Sequence, residues 1–341
     1  MKNGFINIIP SIFKRFGFTP SMRLLWRMSY SLRNGYRGDK KIDTIYLQLT
    51  TSCNLSCKGC YAKEQRTNSA RVFTEKNDVL IDYILSIRNI VVLGGEPLLR
   101  DCRTFLLNIL KRHKGSITIV TNMTMLDEEI VSAIIKNGRV TIMISIDGDE
   151  HYHDLRRGEG VFKLVDHNIN ILRKEKIFYG IICTVTETNY DYVLIDGFVD
   201  LCIRLGSFFT LYLPFTSFGC DSVELSLSEK RYQQMLDRIK DLNRRISHYA
   251  IYHGVEHEIN SSYGGCRAGD RGLYIKADGC ITPCPAIDMD YICIEENDSE
   301  ADIIEKSQAF SGFRDIKSKC FGKCPIIYNK QMLDNYVSSL R

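Results

Sequence analysis

The sequence is short of the features that mark several protein classes. No stretch of about 18 apolar residues runs without charge, which excludes a membrane-spanning helix. Thirteen cysteines in 341 residues fall well below the roughly 8–10% of a disulfide scaffold, and they are unevenly placed. Net charge is only +4, too balanced to argue for nucleic acid. Internal repeats and low-complexity tracts are missing, and hydrophobic residues at 44% with charged residues at 25% exclude a disordered chain. No secretory signal is legible. The apolar runs near the amino end are short, broken by Pro10 and Pro20, and no small-residue cleavage site follows. The expected compartment is therefore a reducing cytoplasm, where thiols stay free, bind metals or do chemistry, and disulfides are not expected.

What charge there is concentrates at the start. Residues 1–41 hold nine Lys/Arg and one acid, Asp39, so the remaining 300 residues sum to −4. Residues 21–33 read as a basic amphipathic helix capped by Ser21, and residues 8–18 are similar. Basic residues interleaved with Trp, Leu and Phe suit a helix lying on an anionic membrane. A helix closing one end of a barrel suits them equally, and docking of an acidic leader peptide ranks third. Peripheral contact at the inner membrane surface through residues 1–41 thus stands beside a plain cytoplasmic location.

From residue 44 the pattern becomes rhythmic. Strands are expected over 45–49, 90–93, 117–120, 140–146, 178–185 and 208–213. Helices are expected between them, over 75–88, 102–112, 127–137, 161–175 and 191–204. Six strands alternating with helices imply right-handed crossovers and a parallel sheet, open or curled into a partial barrel. Either way, ligands collect at the carboxyl ends of the strands. Residues 215–254 read as a linker and a charged helix over 228–247. Residues 255–341 read as loop-rich, with six of the thirteen cysteines.

Cys53, Cys57 and Cys60 follow the first strand directly. Three thiolates within eight residues of loop can converge on one metal centre. Four cysteines satisfy a [4Fe–4S] cube, and three leave one iron open. The alternative is structural zinc, which prefers paired C-x2-C elements and a closed tetrahedron.

This C-x3-C-x2-C loop resembles that of the radical S-adenosylmethionine (radical SAM) superfamily. Further residues extend the resemblance over about 44–214. Gly94-Gly95-Glu96-Pro97 follows the second strand and Thr121-Asn122 the third. Ser145-Ile146-Asp147-Gly148 ends the fourth, with His153-Asp154-Leu155-Arg156-Arg157-Gly158 beyond it. Val185-Thr186 and Asn189 close the fifth. The resemblance implies a partial (β/α)6 TIM-like barrel over 43–214, after a 1–42 extension. It also implies that Cys53, Cys57 and Cys60 bind three irons, while the fourth chelates the amino and carboxylate groups of S-adenosylmethionine. Gly94 and Gly95 would admit the methionine part, with Pro97 closing the motif, and Glu96 would accept from the ammonium. Ser145 and Asp147 would face the ribose or carboxylate. Arg157 would pair with the carboxylate, with Asn122 and Asn189 on the same rim. One departure stands out: Gly59 occupies the place where family loops carry an aromatic, so adenine contact falls to Tyr61 or to backbone. His151 and His153 read as solvated or capping residues, and Asp147-Gly148 as turn chemistry. Cys102, Cys183 and Cys202 read as small core residues. Tyr212 and Cys220 are lesser candidates for donating hydrogen.

Further on, Cys266, Gly279-x4-Cys284 and Cys320-x3-Cys324 flank a strand at 273–275 that turns at 277–279 toward a partner at 281–282. This resembles the shortened twitch relative of the SPASM auxiliary domain and implies one auxiliary iron–sulfur cluster on 255–341. Cys266, Cys284 and Cys324 would be its ligands and Cys320 the fourth. Cys280 and Cys293 compete for that place, and a zinc-stapled hairpin is the alternative. The function implied is reductive cleavage of S-adenosylmethionine to a 5′-deoxyadenosyl radical that abstracts hydrogen from a substrate carbon. The electron would come from a reductant such as flavodoxin or ferredoxin. A peptide or protein is the favoured substrate, a lipid-linked or other small molecule the runner-up. A non-catalytic iron–sulfur protein is the competing class. No nucleic-acid partner is expected.

Overall fold

The computed structural model describes residues 42–60, 62, 73, 78–215, 222–245, 268–269, 271–285, 287, 292–310, 312–313, 315–316 and 330–339. The basic segments at 8–18 and 21–33, Tyr61, Cys220, Cys266, Cys320 and Cys324 lie outside them. In chain order the elements begin with β1 (Thr44–Gln48), α1 (Asp78–Ser86), β2 (Asn89–Leu93), α2 (Arg103–Arg112), β3 (Ser116–Thr121), α3 (Glu128–Asn137) and β4 (Val140–Ser145). There follow α4 (Glu150–Arg157), α5 (Val161–Lys174), β5 (Tyr179–Val185), α6 (Tyr190–Val193), α7 (Asp196–Arg204) and β6 (Thr210–Pro214). The last are α8 (Glu229–Arg245), β7 (Gly272–Ile275), β8 (Ile281–Thr282), α9 (Glu300–Gln308) and α10 (Lys330–Ser339). This is the expected α/β class, with β/α repeats feeding parallel strands.

The chain falls into two compact units. One takes in the described residues of Lys40–Thr121 and Val255–Arg341, the other those of Asn122–Phe215 and Glu224–Gly254. The units cut across the boundary that motifs alone would draw, because the carboxyl-terminal segment belongs with the first strands. In the first unit the order is β3-β2-β1-β7-β8, parallel except for the antiparallel β7–β8 hairpin. Ile45 and Leu47 of β1 and Leu273 and Ile275 of β7 are fully buried. Each pair is two residues apart and so lies on one face of its strand, and the two pairs sit opposite each other in the β1–β7 register. In the second unit β4, β5 and β6 pair in parallel.

Local chemistry explains the element ends. The Asp127 side chain accepts from Ile130 N at the start of α3, and Gly138 closes that helix. Asp149 caps α4 in the same way through Tyr152 N. Ser299 and Asp302 form a reciprocal capping box on α9.

Three expectations change. The helix expected over 191–204 is two helices, interrupted at Leu194 and the extended Ile195. Arg238 of α8 supports the break, donating from Nε to Leu194 O at 2.8 Å and from Nη2 to Asp196 at 3.0 Å. The segment holding His153 is a helix, α4, rather than a loop; its signal was the Asp149 cap, since its own residues are mostly charged. The carboxyl-terminal region carries α9 and α10, which the loop-rich reading missed.

Candidate functional site

The cysteine loop leaves β1 and is bound at once to the loop that leaves β2. Leu49 N donates to Leu93 O at 2.9 Å, Gly95 N to Thr50 O at 2.7 Å and Glu96 N to Ser52 O at 2.8 Å. A Cβ on Gly95 would lie 1.9 Å from Ser52 O, and one on Gly94 2.5 Å from Thr50 O. The two glycines are thus demanded by the neighbouring backbone itself, before any ligand enters. Past Ser52, Cys53 and Cys60 are half-buried and Cys57 is buried. Leu55 N donates to Cys53 Sγ at 3.4 Å. Cys60 N donates to Cys57 O at 3.3 Å across a turn in which Gly59 takes φ 68°. That conformation accounts for glycine where related loops carry an aromatic.

The donor set fits an iron–sulfur cube. Among the described residues no three Cys, His, Asp or Glu side chains gather as around a single ion. In a cube each thiolate meets its own iron, so the three cysteines need not converge that tightly. Three cysteines leave one coordination place for a ligand from outside the chain.

Glu96 is fully buried. Its Oε1 accepts from Thr121 Oγ1 at 2.6 Å and from Leu98 N at 3.0 Å. The carboxylate therefore braces the turn after β2 against the end of β3, a different task from meeting an ammonium. Cys102 packs beneath, 3.3 Å from Pro97 O, its thiol pushed up to about 12 by burial and by the charge of Asp101.

In the second unit the polar candidates converge on Asp147, also fully buried. Its Oδ2 accepts from Arg156 Nη1 and from Arg157 Nε, each at 2.7 Å, and its Oδ1 from Thr184 N at 2.9 Å. Burial pushes this carboxyl up, but Arg157 and Arg156 outweigh it and hold the group well below the usual carboxylate range. Asp147 is an internal counter-ion rather than a residue facing ribose, and the Nε of Arg157 is committed to it. Asn189 is also a brace. Its Nδ2 donates to Asp147 O at 2.8 Å and to Thr184 O at 2.9 Å, while its Oδ1 accepts from Thr186 N at 2.7 Å. Asn122 accepts from Thr124 N and Thr124 Oγ1 in a local turn. Ser145 stays half-buried at the end of β4.

Sequence reasoning missed three members of these networks. Arg156 shares Asp147 equally with Arg157. Thr121 holds Glu96. His153, expected in solvent or as a cap, is fully buried, with Nδ1 accepting from Asp147 N at 3.3 Å and Nε2 without a hydrogen bond. Burial, reinforced by Arg157, lowers its pKa to about 4, so the ring is neutral. The one available signal was helical: from the Asp149 cap, His153 and Arg157 fall on the same face of α4. Tyr212 packs against Phe198 of α7, its hydroxyl buried without a hydrogen bond. It lies in the layer between strand and helix, an unsuitable place for a hydrogen donor.

In the carboxyl-terminal element, β7 runs parallel to β1 with Leu47 opposite Ile275, and Gln48 Oε1 accepts from Ala277 N at 3.1 Å. The turn closes through Gly279 N to Lys276 O at 3.0 Å, with Gly279 at φ 86°. Cys284 follows β8 and is half-buried. Cys280 and Cys293, listed above as rival cluster ligands, are instead joined to each other as a disulfide. This corrects the expectation that cysteines here stay unpaired: an antiparallel bridge sets the two directly opposite. Among the described residues no helix is long and apolar enough to cross a membrane.

Comparison with known proteins agrees with the motif order. Residues 47–198 match the model of the radical SAM superfamily. The chain is 28% identical over 286 residues to the sporulation killing factor maturation protein SkfB of Bacillus subtilis, covering 81% of this chain and 68% of that one. It is 27% identical over 328 residues to the AdoMet-dependent heme synthase of Nitratidesulfovibrio vulgaris, covering 86% and 87%. Streptococcus suis SuiB, solved with the precursor peptide SuiA, superposes with a TM-score of 0.64 at 16% identity, over 90% of this chain and 74% of that one. That last likeness shows the fold, the α/β class of partial barrel. With its cysteine loop, its glycine turn and this match in hand, residues 47–198 are a radical SAM superfamily domain, that of an enzyme that works with a [4Fe–4S] cluster and S-adenosylmethionine.

Proposed function

We propose that this enzyme modifies a peptide or protein by hydrogen abstraction, with one auxiliary iron–sulfur cluster beside the cluster that holds S-adenosylmethionine. Cys53, Cys57 and Cys60 hold the first. Cys266, Cys284 and Cys324 hold the second, with Cys320 as fourth ligand. When bound, the first cluster and S-adenosylmethionine supply a carbon radical that takes a hydrogen atom from substrate. The chain's own part is positional: Gly94 and Gly95 let two loops close on each other, and Glu96 fixes that turn. Asp147 and Asn189 fix the ends of β4 and β5, and Arg156 and Arg157 are held on Asp147.

The observation that carries the reading is the docking of the Gly279-x4-Cys284 hairpin on β1. The strand that leads into Cys53 is thereby hydrogen-bonded to the strand that leads into the auxiliary element. The names of the relatives add support, since SkfB matures a killing factor and SuiB was solved with a precursor peptide. The heme synthase relative favours a second reading, a small-molecule substrate.

The test is anaerobic reconstitution of the full chain with dithionite and S-adenosylmethionine. The wild type should bind about eight irons and Cys57→Ala or Cys284→Ala about four each, as for two four-iron clusters. Cys57→Ala should abolish 5′-deoxyadenosine formation, and Cys284→Ala should retain it. Co-expression with a short precursor peptide encoded beside the gene should change the peptide's mass. Full nucleoside yield with an unchanged peptide would turn the assignment toward a small molecule.

A further inference from the structure

The hydrogen bonds around the Cys280–Cys293 disulfide define a register. Ile281 N donates to Ile292 O at 2.8 Å, and Ile294 N to Gly279 O at 3.0 Å. The two cysteines between those bonds form a non-hydrogen-bonded pair, the narrow position of an antiparallel ladder, where opposing side chains come closest. The ladder sets the two sulfurs opposite one another, and the covalent bond ties them there. Both flanks are anchored. Lys276 N donates to Cys280 O at 2.8 Å. Lys306 of α9 donates from Nζ to Cys293 O at 2.9 Å and pairs with Asp298. Access is unequal: Cys280 is buried and Cys293 half-buried, so an incoming thiolate meets Cys293 first.

The described residues of the segment closed by this bond, 281–285, 287 and 292, include Cys284. Inside it the described hydrogen bonds turn back on Cys284 itself: Thr282 Oγ1 and Ile287 N both donate to Cys284 O at 3.0 Å. Tying 280 to 293 holds both ends of that segment in place.

We propose that Cys280 and Cys293 are a thiol–disulfide exchange site, separate from either cluster, that sets the order of the segment bearing Cys284. A thiolate of an external dithiol attacks Sγ of Cys293, the S–S bond breaks, and Cys280 leaves as a thiolate and takes a proton. The second thiol of the reductant then displaces Cys293. The chain gains two electrons and two protons, and the dithiol becomes a disulfide. The exchange site stands without the substrate assignment. Only its consequence for Cys284 rests on placing that residue at an auxiliary cluster.

The experiment poises the reconstituted holoenzyme under argon in buffers of reduced and oxidised dithiothreitol, then quenches, alkylates and maps peptides by mass spectrometry. Cys280 and Cys293 should gain label together at one midpoint, with iron content constant through it. Amide hydrogen exchange at Cys284 and Ile287 should rise at least tenfold on reduction. Cys280→Ser should show that fast exchange in every buffer, with Cys293 always labelled and the iron content of the wild type. Full labelling of both residues in the most oxidising buffer would overturn the proposal. So would iron loss in Cys280→Ser, which would make the residue a cluster ligand, or exchange that ignores reduction. Iron retained in Cys284→Ala would remove the auxiliary assignment while leaving the exchange site intact.

Discussion

Arg157 donates from Nε to Asp147 Oδ2 across 2.7 Å, and the acceptor has no exposure to solvent. Arg156 reaches the same oxygen at the same distance. Two guanidinium groups on one buried carboxylate is a costly arrangement unless every member is paired. Here the carboxylate is also bonded to Thr184 N, and its own backbone N–H is held by His153. The end of β4 and the helix that follows it are thereby locked into one geometry.

Asp147→Asn should destabilise the fold strongly. It leaves two nearly buried cations without a counter-charge, a loss of about 3–5 kcal/mol. Urea unfolding should show a lower midpoint with an unchanged slope. An unchanged midpoint would mean that Arg156 and Arg157 find other partners.

His153 should make stability depend on pH in a defined window. Its pKa is near 6.5 when unfolded and about 4 when folded, so the unfolded chain binds the extra proton. Stability from this residue is complete above pH 6.5 and is lost as pH falls toward 4, about 2 kcal/mol between pH 7 and pH 5. His153→Gln, which keeps an acceptor, should flatten that part of the profile. Parallel profiles for the two proteins would refute the assignment.

Gly95→Ala should damage the loop that precedes Cys53. The added methyl would sit 1.9 Å from Ser52 O, a backbone atom with little room to shift. Iron bound per chain after reconstitution should fall to half or less, and 5′-deoxyadenosine formation with it. Normal iron and normal turnover would show that the two loops can separate without consequence.

Glu96→Gln should be tolerated better than Glu96→Ala. Glutamine keeps an oxygen for Thr121 Oγ1 and Leu98 N, whereas alanine strands two buried donors at roughly 1–3 kcal/mol each. Thermal unfolding should rank the three proteins wild type, Gln, Ala. Were Glu96 needed chiefly as a charge at the cofactor, Gln would match Ala in lost activity while keeping most of the stability.

Much of the fold was legible because its signals are local. Asp127 before α3 and Gly138 after it bracket the helix in sequence as they do in space. The apolar run of residues 117–120 could be read as strand without knowing its neighbours. The helix holding His153 was legible only through its Asp149 cap, since its own residues carry no apolar periodicity. The break at Leu194 was not legible, because the Arg238 that satisfies it lies 44 residues away.

The order of short motifs along the chain carried the resemblance to the superfamily, and the three-cysteine loop and the glycine turn were legible because each is a short local stretch of sequence. Tertiary structure alone decided that Asp147 and Glu96 are internal braces. It likewise decided that Cys280 faces Cys293 and that β7 joins β1 across more than two hundred residues. Those outcomes depend on which distant backbones lie side by side and on how far burial raises the cost of an unpaired charge, and neither is written in any local stretch of sequence.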